Sequence, residues 1–191
     1  MKERPIIMST ESVRQILAEN KTQTRRVIKP QPLKNEWGED LGFTVGVYEF
    51  AKTDRNGESY PGPKQYGISS LDGEHGIICR CGMPGDRLWV RETFYRIPGM
   101  SEPYYRTDWD DYRALGIKWM TPLYMPRKYS RITLEVTSVR AERLQEISEI
   151  DAILEGCESR EAYRKRWEEI NGKRYPWSSN PLVWVIEFKK L

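Results

Sequence analysis

The run Leu182-Val183-Trp184-Val185-Ile186-Glu187-Phe188 holds six apolar residues in seven. That length suits a strand better than a helix, and the missing polar alternation predicts a strand buried on both faces. A second segment, Arg131 to Thr137, alternates with period two and reads as a half-buried strand. Pro5-Ile6-Ile7-Met8 reads as a short first strand. The turn Pro84-Gly85-Asp86 introduces another over 87–94, and Thr22 to Ile28 is a further extended segment. Several short strands with a few helices predict one mixed α+β domain over residues 1–191, built round a small barrel or curled sheet.

Three helices are expected. In the first, Thr10 serves as N-cap, Val13, Ile16 and Leu17 form the apolar face, and Asn20 ends it in the left-handed region. In the second, Ser148 and Asp151 mark the start, Ile150, Ile153 and Leu154 face inward, and Gly156 is the stop. The third runs from Ser159 to Asn171 and is closed by Gly172. Residues 31–80, rich in Gly, Pro, Asn and acids, read as an insertion whose one convincing strand is Phe43–Tyr48. A second insertion, 97–125, is aromatic and charged, with Tyr104, Tyr105, Trp109, Tyr112 and Trp119.

Composition narrows the class. With 38% hydrophobic and 31% charged residues the chain is globular rather than disordered. No uncharged apolar run reaches the roughly 18 residues of a membrane helix. Met1-Lys2-Glu3-Arg4-Pro5 has no secretory apolar region, and three cysteines make no disulfide framework, so the cytoplasm is the expected address. The net charge of +3 hides a pattern: residues 1–35 carry +5, 36–75 carry −5, 76–143 carry +4 and 144–191 carry −1. Arg25, Arg26 and Lys29 form one basic cluster and Arg127, Lys128 and Arg131 another. Such patches suit phosphates, although solvated strand and loop faces look the same on charge alone.

Metal, cofactor and serine-triad chemistry find little support. His75, Cys79 and Cys81 give H-x3-C-x-C, with Cys157 as a distant fourth, but paired zinc cysteines prefer two or more residues between them, and here there is one. There is no P-loop, no dinucleotide glycine fingerprint and no G-x-S-x-G, so no metal or cofactor is expected. With one histidine in the chain, the general base of an enzyme here is Lys, Glu or Asp.

Lys21-Thr22-Gln23-Thr24-Arg25-Arg26 is the densest polar cluster, placed where a helix hands over to a strand. Period two puts Thr22, Thr24 and Arg26 on one face, with Lys21 in the turn beside them. A lysine whose pKa is lowered by burial or by basic neighbours acts as base towards a threonine hydroxyl. The plainer alternative is a basic, solvated turn leading into an edge strand.

The K-T-x-T-x-R run after a short amphipathic helix resembles the signature of the ASCH family, a branch of the PUA-like superfamily of small β-barrels. Pro84-Gly85-Asp86-Arg87-Leu88-Trp89-Val90 resembles its G-D-x-L-x-V strand entry. Residues 132–139 resemble its central strand and 183–189 its closing strand. The resemblance implies a PUA-like barrel with peripheral helices and two insertions. Some members are amidohydrolases that deacetylate the exocyclic amine of acetylcytidine, and by that likeness Lys21, Thr24 and Glu155 are catalytic: base, nucleophile and proton-exchanging or orienting acid. Arg25, Arg26, Arg127, Arg131, Trp89 and Glu92 are then the binding candidates, and RNA, DNA or a modified nucleoside the partner. Three uses stay open: first a module that binds nucleic acid or a modified nucleoside, second that amidohydrolase, and third a ribonuclease in the same cleft. The two insertions make the chain look most like the longer family members encoded by bacteriophages and prophages, which places it in the host cytoplasm.

Overall fold

The computed structural model describes residues 1–31, 42–71, 75–111 and 116–191. The first half contains β1 (Glu3–Ile7), α1 (Thr10–Leu17), β2 (Gln23–Val27), β3 (Phe43–Glu49), β4 (Lys52–Thr53), β5 (Ser59–Tyr60), β6 (Lys64–Ser70), β7 (Gly76–Ile78) and β8 (Arg87–Arg91). The second contains β9 (Phe94–Tyr95), β10 (Tyr104–Tyr105), β11 (Thr133–Arg143), α2 (Glu149–Leu154), α3 (Arg160–Asn171) and β12 (Leu182–Lys190). Among the described residues no helix is long and apolar enough to cross a membrane.

The apolar run becomes β12, inside a five-stranded sheet of order β1-β8-β11-β12-β2. β1 and β8 pair in parallel, and the remaining neighbours are antiparallel. Leu182, Trp184, Ile186 and Phe188 pack with Ile6, Val13, Leu88 and Leu134 in one core. Val183 and Val185 face the other way, into a second core with Leu144, Ile147, Tyr163, Trp167 and Trp177 around α2 and α3. Both faces are therefore covered, which is why the segment tolerates no alternation.

β1 and β2 stand at the two ends of this strand order, and the architecture is mixed α+β, with no ladder closing the sheet among the described residues. One side chain crosses between the edges: Arg26 Nη2 donates to the Ile7 carbonyl at 2.6 Å.

Local chemistry shifts several predicted boundaries. Ser9, not Thr10, caps α1, its hydroxyl accepting from the Ser12 N–H, and Glu19 rather than Asn20 takes the left-handed conformation (φ 62°). Val13 and Ile16 are buried, whereas Leu17 is exposed. In α2 the Ser148–Asp151 capping box is present. Its inward face is different from the one expected: Ile150 and Ile153 are 71% and 55% exposed, and Ala152 is buried instead. A six-residue helix held by its caps needs only a small contact with its neighbour. β11 runs to Arg143, well beyond Thr137, because a bulge between Val136 and Ser138 keeps it paired with β12.

The first insertion has more structure than the sequence suggests. Apart from 32–41 and 72–74, which lie outside the described residues, it forms an antiparallel sheet of order β3-β6-β7. Ile68 docks that sheet on the main core, and the Tyr66 hydroxyl donates to the Val139 carbonyl at 2.9 Å. In the second insertion 112–115, including Tyr112, lie outside the described residues. Arg14 of α1 holds this segment, donating to the carbonyls of Thr107 (3.2 Å) and Trp109 (2.9 Å).

Candidate functional site

Three contacts fix Lys21 where α1 turns into β2. Its N–H donates to the Gln15 carbonyl, the Thr22 N–H donates to the Leu154 carbonyl at 2.9 Å, and the Phe188 N–H donates to the Thr22 carbonyl at 2.8 Å. These bonds bring the last turn of α2 against the start of β2, so that Lys21 and Glu155 face each other as an isolated antiparallel bridge. Lys21 Nζ then donates to Glu155 Oε2 at 2.5 Å and to the Glu155 carbonyl at 2.8 Å. Both side chains are buried.

Gly156 makes the approach feasible. It has φ 76°, and a Cβ there would lie 2.9 Å from Gln15 Cβ and 3.2 Å from Lys21 Cβ. Gly156→Ala is expected to cost about 1–3 kcal/mol, from left-handed strain and from pushing Lys21 aside. Denaturant unfolding checks this as a lower midpoint with an unchanged slope.

Behind the pair lies Arg25, whose side chain is 0% exposed. Its Nε and Nη2 donate to Glu142 Oε1 at 2.9 and 2.7 Å, and Nη1 donates to Gln23 Oε1 at 2.7 Å and Glu155 Oε1 at 3.3 Å. Asp151 Oδ2 stands 3.4 Å from Nη2, and the Tyr163 ring lies 5.9 Å from the guanidinium carbon. Arg25 thus fixes Glu155 and has its charge matched internally. The expected phosphate ligand lines a cavity with its guanidinium engaged by carboxylates.

The electrostatics favour a reactive lysine. Burial pushes the Lys21 pKa below its usual value of 10.5, and the nearby Arg26 charge lowers it further, against the opposing pull of Glu155. Burial pushes the Tyr163 hydroxyl well up, so it stays protonated. Asp151 is penalised by burial, yet hydrogen bonds from Ser148 and Gln23 and the Arg25 charge hold its carboxyl below the usual range.

Thr24 pairs with Ile186 across the edge of the sheet and is buried. Thr24, Lys21 and Glu155 all line one cavity of about 530 Å³ between the two sheet edges and α3. Six cationic side chains line it (Lys21, Arg25, Arg26, Lys29, Arg106 and Arg166), against the single carboxylate of Glu155. Tyr163, Trp167 and Tyr175 supply its aromatic surface.

Four sequence candidates sit elsewhere. Arg127 pairs with Glu3 at 3.1 Å. Arg131 is engaged by Glu92 and Asp108 and stacks 3.9 Å over the Tyr105 ring. Glu92, buried, also accepts from the Thr107 hydroxyl at 2.7 Å. Trp89 is buried under the Arg91 guanidinium. None of the four lines the cavity. Arg131, Glu92 and Tyr105 instead fasten the second insertion to the sheet, as an ion pair under an aromatic ring does when partly desolvated.

Among the described residues no group of three or more His, Cys, Asp or Glu is placed to hold a metal. Cys79 and Cys81 interact with each other: a hydrogen bond from Cys79, with help from Arg26 and Arg4, brings the Cys81 thiol down to about 7 against burial. That same bond and burial push Cys79 up. Sequence reasoning missed Gln23, Glu142 and Asp151 as supports and Arg106 and Arg166 as cavity cations. The alternation Gln23/Arg25 opposite Thr24/Arg26 was the available signal for the first group, and the second had none.

Compared with protein-family models, with curated proteins and with solved structures, the chain has no match.

Proposed function

We propose that the chain is an ASCH-type, PUA-like protein that hydrolyses an acyl group from the exocyclic amine of a cytidine derivative. The buried Lys21–Glu155 pair, on the same cavity that Thr24 lines, is the observation that carries this reading. Neutral Lys21 takes the Thr24 proton as Oγ forms its bond to the acyl carbon. The C–N bond then breaks, and the proton passes to the departing amine. Water hydrolyses the threonyl ester, with Lys21 again the base, and releases the carboxylic acid. Glu155 holds the lysine nitrogen in line and exchanges protons with it.

Chromatography of acetylcytidine incubated with the protein tests this. Cytidine forms readily with wild type, only slowly with Glu155→Gln, and not with Lys21→Ala. No product from well-folded wild type sinks the hydrolase and leaves the second reading, a nucleic-acid-binding site, which the six cationic cavity residues favour.

The pH profile offers a separate check. Since the base must be neutral, the rate rises with pH through the Lys21 pKa, which lies below 10.5. Arg26→Gln removes a positive neighbour, raises that pKa and moves the rising limb to higher pH. Glu155→Gln removes a negative neighbour and moves the limb of its residual activity to lower pH. Limbs that stay put in both variants would exclude Lys21 as the base.

A further inference from the structure

Resting on the reading above, we propose that the cavity takes a phosphorylated mononucleotide rather than a free nucleoside, with the phosphate held by Arg26, Lys29 and Arg166. The charges of Lys21 and Arg25 are already balanced by Glu155, Glu142 and Asp151. Arg106 donates to the Thr10 hydroxyl at 3.0 Å, and Arg26, Lys29 and Arg166 are differently placed. Arg26 donates from Nη2 to the Ile7 carbonyl and the Met8 sulfur, and its buried Nε has no partner. Arg166 Nη1 donates to the Gly156 carbonyl at 3.3 Å. Lys29 Nζ lies 5.6 Å from the centre of the Tyr175 ring. These acceptors are all uncharged.

Excess positive charge in a partly enclosed cavity costs free energy that a bound anion recovers. Guanidinium groups answer a phosphate better than they answer any neutral ligand, through charge-assisted hydrogen bonds. The opposite requirement, an apolar surface for a base, is met by Trp167, Tyr175 and Ile170 on the same cavity. A volume of about 530 Å³ suits one nucleotide, not a strand. The catalytic residues, the aromatic surface and the unbalanced cations line one space, so base and phosphate are held together beside the trio.

Calorimetric titration of Thr24→Val, in which chemistry is removed, separates this from the hydrolase reading. Cytidine 5′-monophosphate is expected to bind at least about tenfold tighter than cytidine in about 0.1 M salt, with the advantage shrinking as salt rises. Arg26→Met and Arg166→Met should erase the advantage, and the exposed Lys29→Met, which carries little folding risk, should reduce it. In wild type, acetylated cytidine monophosphate should exceed acetylcytidine in kcat/KM by a similar factor, through KM. Equal binding of nucleotide and nucleoside overturns the inference even if acetylcytidine is deacetylated. A cytidine-containing RNA hexamer binding more than about tenfold tighter than the mononucleotide also overturns it, in favour of a strand site. A preserved nucleotide preference with no turnover of either acetylated substrate upholds the phosphate site and sinks the hydrolase.

Discussion

Replacing Thr24 by valine is expected to lower turnover of acetylcytidine by at least about a thousandfold while leaving the fold in place. Valine keeps the β-branched shape, suits the edge strand β2 and still packs beside Ile186. What disappears is the hydroxyl, the group whose oxygen bonds to the acyl carbon in the proposed mechanism. Stability should change by no more than about 1 kcal/mol. Lys21→Ala is a less clean probe, because it strands the buried Glu155 carboxylate and so confounds chemistry with folding. Steady-state kinetics beside a thermal melt decide the matter. A valine variant at wild-type rate would leave Thr24 without a catalytic part. A ribonuclease would survive that substitution but slow on a substrate lacking the 2′-hydroxyl.

Arg25→Met should be the most damaging single substitution to stability in this region, at about 3–5 kcal/mol. The guanidinium is fully buried and answers Glu142, Glu155 and Asp151 together, so its removal leaves three carboxylates facing one another with one fewer counter-charge. For a domain of this size that corresponds to a drop in Tm of roughly 6–20 °C. The loss should be smaller in acid, where the stranded carboxylates take up protons, which distinguishes charge from packing. A melt within about 2 °C of wild type at neutral pH would mean that solvent reaches the cluster and Arg25 does not organise it.

How much of this was legible in the sequence depended on whether a residue's role was local. The apolar run of β12, the Ser148–Asp151 box and the Gly156 stop declared themselves because periodicity, capping and left-handed backbone are set by near neighbours. Lys21-Thr22-Gln23-Thr24 stood out by polarity alone. The internal pairing of Arg25 was not legible because a buried arginine and a solvated one look alike until its distant partners, Glu142 and Asp151, are in place. The pairing of Arg131 with Glu92 and Asp108 was hidden for the same reason, Asp108 lying in the second insertion. The β6 strand, Lys64-Gln65-Tyr66-Gly67-Ile68-Ser69-Ser70, was overlooked because Ile68 and a half-buried Tyr66 suffice as anchors when a neighbouring core receives them.

The position of β12 also bears on synthesis. Every residue of the proposed trio lies before position 156, yet the strand that pairs with both β2 and β11 follows 181 others. A nascent chain that has exposed only the first 181 residues has β2 with no partner, and two apolar clusters with no shared wall between them. Its contacts are long in sequence separation, and such sheets close late. The site therefore comes into being in one step when β12 leaves the ribosome, and a ribosome stalled before Leu182 should display a chain that chaperones bind and proteases cut.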